Sequence, residues 1–310
     1  MTLNWKKIIE IIKAELNLYY NQGYKPTLRS IFYRLYTKKL IPNTSSAYNS
    51  LVRATVKARL DDRLPIDCFA DNSRNVIGNF NETFFEPNDY INRSLSVIKN
   101  IPEEYLNFIP RWHNQPEYVE VWSEKDAMSD IFQSILKGKD VRIIPHKGFT
   151  SLTFLYECVE RLKQQKRQGK NIHILYYGDF DPSGDYMVND LLNRMDKLGL
   201  TQYEIDFQKI AVTQQQIKKY NLPFNPDKTT IEKMNRDSRT TGFVEKYGRL
   251  YAVEIDALPA LIPDIFKINV IRSVEQFFNR EIYEEILLNN SRYDINRIFK
   301  EKIIRLSKEL

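Results

Sequence analysis

Apolar residues recur along this chain with two different periods, and the change from one to the other divides it. Over residues 3–21 they stand at helical spacing, Trp5, Ile8, Ile9, Ile12, Leu16 and Tyr19, which puts them on one face of a helix. Gly23 ends that helix. Thr27 stands where an N-cap belongs, and Ile31, Phe32, Leu35 and Tyr36 supply the apolar face of a second helix. Pro42-Asn43-Thr44 breaks the chain, and residues 45–60 predict a third helix, followed by a short extended piece over 66–70. Residues 76–116 are richer in Asn and Pro and predict a linker with one helix near 89–100. Beyond 117 short apolar runs alternate with helical stretches. Strands are predicted over 118–122, 141–145, 172–177 and 203–211, and helices over 125–136, 150–165 and 186–198. Strands alternating with helices imply a mostly parallel α/β sheet. Residues 219–248 read as a loop, 251–255 as a further strand, and the chain from Asp264 onward as helix.

Charge sharpens the division. Residues 1–75 hold 13 Lys/Arg against 6 Asp/Glu, whereas the other 235 residues hold 33 against 34. The basic excess of the whole chain, +6, therefore belongs to its first quarter, a distribution shared by nucleic-acid-binding segments and by solvated lysine-rich helices. Three short helices and an extended piece suggest a winged helix-turn-helix over 1–80. Its third helix carries Arg53, Lys57 and Arg59, where a recognition helix meets phosphates, and Arg74 follows. The expected organisation is thus a winged-helix domain (1–80), a linker (81–116) and a Rossmann-like α/β domain with a helical extension (117–310). No apolar run reaches the length of a membrane span and the start lacks a signal peptide's apolar stretch. Cys68 and Cys158 sit in apolar context as buried thiols. A cytoplasmic, nucleoid-associated protein without a membrane partner is expected.

Candidate chemistry concentrates at Asp179-Phe180-Asp181-Pro182, directly after the apolar run 172–178. On extended backbone, residues two apart point the same way, so two carboxylates are presented together at a strand's carboxyl end. Close anions repel unless a cation shares them, and hard oxygen ligands suit Mg2+, with Mn2+ as an alternative. Glu124 ends the first strand of the same domain, so it adds a third carboxylate with a second role as acid or base. Glu254 and Asp256 repeat the two-apart spacing. Gly148-Phe149-Thr150-Ser151 precedes a helix and reads first as a cap. His113, His146 and His173 share no metal spacing.

The pattern Glu124…Asp179-x-Asp181 on alternating strands and helices resembles a Toprim domain, the metal-binding module of topoisomerases, primases and certain nucleases. More specifically, Val119-Glu120-Val121-Trp122-Ser123-Glu124-Lys125-Asp126-Ala127 and Tyr177-Gly178-Asp179-Phe180-Asp181-Pro182-Ser183-Gly184 are similar to the topoisomerase VI A subunit. The meiotic double-strand-break transesterase belongs to that superfamily. Its members carry an upstream winged helix with a nucleophilic tyrosine in a motif near Arg-x-Ile-(Tyr/Phe)-Tyr. Arg29-Ser30-Ile31-Phe32-Tyr33 matches it, although Ser30 stands where the family commonly has an acid. The resemblance implies Tyr33 as nucleophile, with Arg29 four residues earlier on the same helical face to favour the phenolate and grip the phosphate. It covers roughly residues 20–260 and is best with stand-alone Mini-A-like relatives found on mobile elements. Those imply a homodimer acting on double-stranded DNA, one subunit's tyrosine working with the partner's metal site.

What the resemblance implies is a Mg2+-dependent DNA-cleaving enzyme of the type IIB topoisomerase A-subunit kind. Tyr33, Arg29 and Glu124 would be catalytic, and Glu124, Asp179 and Asp181 metal ligands. Arg34, Arg53, Lys57, Arg59, Arg74, Lys125, Lys228 and Arg239 would be DNA contacts. The chain has no P-loop, so coupling to ATP would need a separate ATPase subunit. Two other readings stay open at this level: a Toprim nuclease that hydrolyses DNA with water rather than Tyr33, and a non-catalytic winged-helix regulator.

Overall fold

A computed structural model describes residues 4–23, 25–70, 86–105, 109–146, 151–225, 239–249, 252–291 and 293–309. They form two compact units: residues 1–74 with 116–277, and residues 75–115 with 278–310. The first unit opens with three helices, α1 (Trp5–Asn21), α2 (Leu28–Thr37) and α3 (Ser45–Leu60). Each starts on a side-chain cap: Asn4 accepts from Lys7 N, Thr27 from Ser30 N and Thr44 from Ala47 N, which satisfies N–H groups the helix leaves unpaired. The apolar stripes anticipated from spacing are buried, including Ile8, Ile9, Ile12 and Leu16 of α1 and Ile31, Phe32 and Leu35 of α2.

The second part of this unit is a four-stranded parallel sheet of order β2-β1-β3-β4, with β1 (Glu117–Ser123), β2 (Arg142–Pro145), β3 (Asn171–Tyr177) and β4 (Asp206–Ala211). The connections run through α5 (Ser129–Ile135), α6 (Leu152–Arg167) and α7 (Pro182–Lys197), giving a Rossmann-like α/β layer. α6 and α7 lie over the sheet, where Leu155, Cys158, Val159, Leu162, Leu191 and Met195 close a core with Trp122, Ile172 and Ile174. A buried ion pair threads this core, Arg161 donating to both oxygens of Glu120 at 2.7 and 3.1 Å. The order places the reversal of strand sequence between β1 and β3, since β1 leads outward to β2 on one side and β3 to β4 on the other. Loops leaving the carboxyl ends there diverge and open a crevice, where such sheets bind ligands. Ser123 pairs with Tyr177, so Glu124 leaves the sheet level with Gly178 and one residue short of Asp179.

Several sequence expectations change. Residues 66–70 form turns rather than a strand: Cys68 N donates to Pro65 O, and Ala70 N reaches back to Pro26 O. β4 starts only at Asp206 because Thr201 N and Oγ1 both donate to Glu204, closing a turn across the expected strand start. The stretch read as a loop, 219–248, holds only the last two residues of α8 (Gln214–Tyr220) but the whole of α9 (Arg239–Tyr247); residues 226–238 lie outside the described residues. α8 begins on a Thr213/Gln216 capping box, and α9 is held by Phe243 and Tyr247 against Phe180. In place of a strand over 251–255, Val253 makes one antiparallel bridge to Phe180. The ladder stops there because Ile255 N donates to the Asp179 carboxylate at 3.0 Å instead of to backbone. A short helix not expected from the sequence, α10 (Ala257–Leu261), precedes α11 (Pro263–Glu275), and the helix expected from Asp264 onward breaks after Glu275.

The second unit contains α4 (Pro87–Glu104), α12 (Arg280–Ser291) and α13 (Ile295–Glu309). The Arg111 guanidinium lies 3.6 Å from the Phe278 ring centroid, and Gln115 exchanges hydrogen bonds with Asn279. Among the described residues no helix is long and apolar enough to cross a membrane.

Candidate active site at the carboxyl edge of the sheet

Three carboxylates meet where the crevice opens. The backbone of Glu124 continues the β1–β3 ladder through Glu124 N to Tyr177 O, 2.9 Å. Its side chain then turns to accept from Asp179 N at 2.9 Å. Two glycines permit this approach. A Cβ on Gly178 would lie 2.6 Å from Glu124 Oε2, and one on Gly184 would lie 2.7 Å from Asp179 O. Asp181 caps α7, its Oδ1 accepting from Gly184 N at 2.7 Å. Asp179 and Asp181 are both buried. Burial, followed by the charges of Asp179 and Asp181, raises the Glu124 carboxyl to about 7. The Tyr176 phenol is pushed up by burial and by the same three acids.

A second acidic pair, Glu254 and Asp256, faces the first across Lys125. The Lys125 ammonium is 3.2 Å from Asp179 Oδ1, 2.8 Å from Asp256 Oδ2 and 3.5 Å from Glu254 Oε2. α2 closes the far side. Thr27 Oγ1 donates to Asp256 at 3.1 Å, Arg29 Nε lies 3.3 Å from Glu254 Oε2, and the Tyr33 hydroxyl donates to the same oxygen at 3.2 Å. Asn225 Nδ2 donates to the other oxygen, Glu254 Oε1, at 2.7 Å. Arg29 and Tyr33 thus share a helical face, as their spacing predicts.

Arg29 does favour the Tyr33 phenolate, as expected, but it is outweighed. Tyr33 is 1% exposed. Burial first, then the charge of Glu254, pushes its phenol well above the usual tyrosine range, outweighing Arg29 and Lys125. In this arrangement Tyr33 is a neutral phenol with its proton directed at Glu254.

The other sequence candidates are dispersed. Arg34 and Lys38 both pair with buried Glu15. Arg53 and Lys57 are exposed on α3, whereas Arg59 packs over the Phe69 ring. Lys125 is turned into the acidic network rather than outward. Arg239 borders a cleft of about 430 Å³ beside Pro182, Asp185 and Tyr186, and donates to Ser183 Oγ at 3.3 Å. Arg74, Lys228 and residues 148–150 lie outside the described residues. His146 is a core residue between Trp122 and Tyr176, and burial lowers it to about 4. Sequence reasoning missed Lys209 of β4, whose ammonium donates to Asp179 O at 3.0 Å beneath the acids. It also missed Asn225. A lysine in an otherwise half-buried strand was the available signal for the first, and the second had none.

The donor chemistry of Glu124, Asp179 and Asp181 suits a hard divalent cation, because crowded buried carboxylates are relieved by one. Among the described residues, no three acid, imidazole or thiol side chains already stand as a chelating set. No family model, no curated protein and no solved structure matches this chain.

Proposed function

We propose that this chain is a Mg2+-dependent DNA-cleaving transesterase resembling the topoisomerase VI A subunit, with α1–α3 as its winged-helix portion and the parallel sheet as its Toprim portion. The observation that carries this reading is the chain of contacts from Tyr33 through Glu254 and Lys125 to Asp179. It ties the candidate nucleophile of the basic segment to the acidic crevice. A core tyrosine needs only some partner for its hydroxyl, as Tyr177 has in Ser273; the partner of Tyr33 is a carboxylate of the acidic crevice.

In this reading Tyr33 attacks a backbone phosphodiester and becomes joined to one DNA end. Arg29, on the same face of α2, grips the phosphate. Glu124, Asp179 and Asp181 would hold Mg2+, which when bound neutralises charge at the scissile phosphate. The exposed Arg53 and Lys57 contact the DNA backbone, so affinity falls as salt rises. Two copies acting together would make a double-strand break. The resemblance puts each tyrosine on the partner's metal site, whereas here its hydroxyl lies on Glu254 of its own chain.

The 1% exposure of Tyr33 favours a second reading, a nuclease in which the acidic site activates water. Product chemistry separates the two. Supercoiled DNA is incubated with Mg2+ and the wild type or Tyr33→Phe, then denatured. The transesterase reading expects protein covalently attached to DNA ends in the wild type and none in the variant. Free ends and full cleavage by Tyr33→Phe would refute it.

A further inference from the structure

Any tyrosine that attacks a phosphodiester must give up its proton, and burial raises the cost of doing so without an acceptor. Among the described residues the acceptor touching the Tyr33 hydroxyl is Glu254, at 3.2 Å, within the reach a general base requires. Of the other charged groups acting on it, Arg29 and Lys125 are cations and cannot accept, and the Asp256 carboxylate is engaged by Thr27 and Lys125. The orientation of Glu254 is fixed from behind: Asn225 takes Oε1 and leaves Oε2 toward α2. Asn225 is itself held by its backbone N–H on Ala252 O at 2.7 Å. Glu254 follows Val253, which is anchored to Phe180 between the two acids of the first cluster. The carboxylate is therefore set by the same short bridge that positions Asp179 and Asp181.

Resting on the transesterase reading, we propose that Glu254 is the general base for Tyr33. Tyr33 Oη forms the bond to phosphorus as its proton passes to Glu254 Oε2. The bond from phosphorus to the leaving sugar oxygen breaks, and that oxygen takes a proton from solvent water. Religation reverses each transfer. Arg29 fits this sequence, because its guanidinium pairs with Glu254 at rest and is drawn to an incoming phosphate. Its departure leaves Glu254 with one cation fewer.

The test is the rate of covalent adduct formation on supercoiled DNA with Mg2+. Glu254→Gln keeps the shape and removes the acceptor. It is expected to slow adduct formation by about 10²- to 10⁴-fold, the range of general-base contributions. A fluorinated tyrosine at position 33, whose phenol is more acidic, is then expected to restore much of the rate in Glu254→Gln while changing the wild type little. A merely structural role for Glu254 would give no such rescue. Adduct formation undiminished or faster in Glu254→Gln, or no rescue in the folded variant, overturns the proposal. If Glu254→Gln does not fold, Glu254→Asp is compared instead. Fluorination should then accelerate that variant more than the wild type, and equal acceleration overturns the role. A wild type that leaves only free ends sinks the transesterase reading and this role together. Loss of the Glu254 effect alone leaves the reading standing.

Discussion

Replacing Glu124 by glutamine is expected to stabilise the protein above neutral pH and, on the proposed function, to abolish DNA cleavage. The Glu124 carboxyl is raised from 4.5 to about 7 by burial and by Asp179 and Asp181. Below pH 4.5 it is protonated in the folded and unfolded chains alike and carries no penalty. As pH rises through about 7 the unfolded chain has already ionised, and the folded chain must ionise against its surroundings. Folding stability is therefore lost across this window. A shift from 4.5 to about 7, at about 1.4 kcal/mol per pH unit, makes the loss about 3 kcal/mol. Glutamine has no charge to bury, and its Oε1 can still accept from Asp179 N, so the local hydrogen bond survives. Urea unfolding of wild type and Glu124→Gln at pH 4, 6 and 8, in chelator, measures this. Differences between the two proteins cancel the titration of more distant groups. The variant should match the wild type at pH 4 and exceed it by up to about 3 kcal/mol at pH 8. Added Mg2+ should recover the wild type at pH 8 and act less on the variant. Parallel pH dependences for the two proteins would refute the account of the acidic crevice.

Three further outcomes follow from the same contacts. Gly178→Ala would put a methyl 2.6 Å from Glu124 Oε2 and 2.7 Å from the Tyr176 ring; it should cost about 1–3 kcal/mol and most of the cleavage, and wild-type cleavage would show that Glu124 need not sit where it does. Arg161→Leu strands the buried Glu120 carboxylate and should destabilise by about 3–5 kcal/mol in urea unfolding, most of which Glu120→Gln in the same chain should recover. Lys125→Met removes the ammonium shared by Asp179, Glu254 and Asp256, so a loss of about 3–5 kcal/mol is expected, with Mg2+ raising the variant's melting temperature more than the wild type's.

Much of the architecture was legible in the residues because the signals are local. Helical spacing from Trp5 to Tyr19, the Thr27 cap and the apolar runs before Glu124 and Asp179 each act within a few residues, and each produced the expected element. Phe180-anchored packing of α9 and the single Val253 bridge were not legible, because both depend on partners about 60 to 75 residues away in the chain. The acidic trio could be assembled on paper from two strand ends, since parallel strands align their carboxyl ends by construction. Its company could not. That Lys125 turns inward, that burial and Glu254 outweigh Arg29 at the Tyr33 phenol, and that Asn225 and Lys209 join the site are decided by which elements dock against the crevice. The sequence by itself determined the elements and which acids end the strands, because backbone preference and periodicity are short-range. The tertiary structure alone decided the protonation and pairing of those groups, because burial and Coulomb interactions depend on distance in space rather than along the chain.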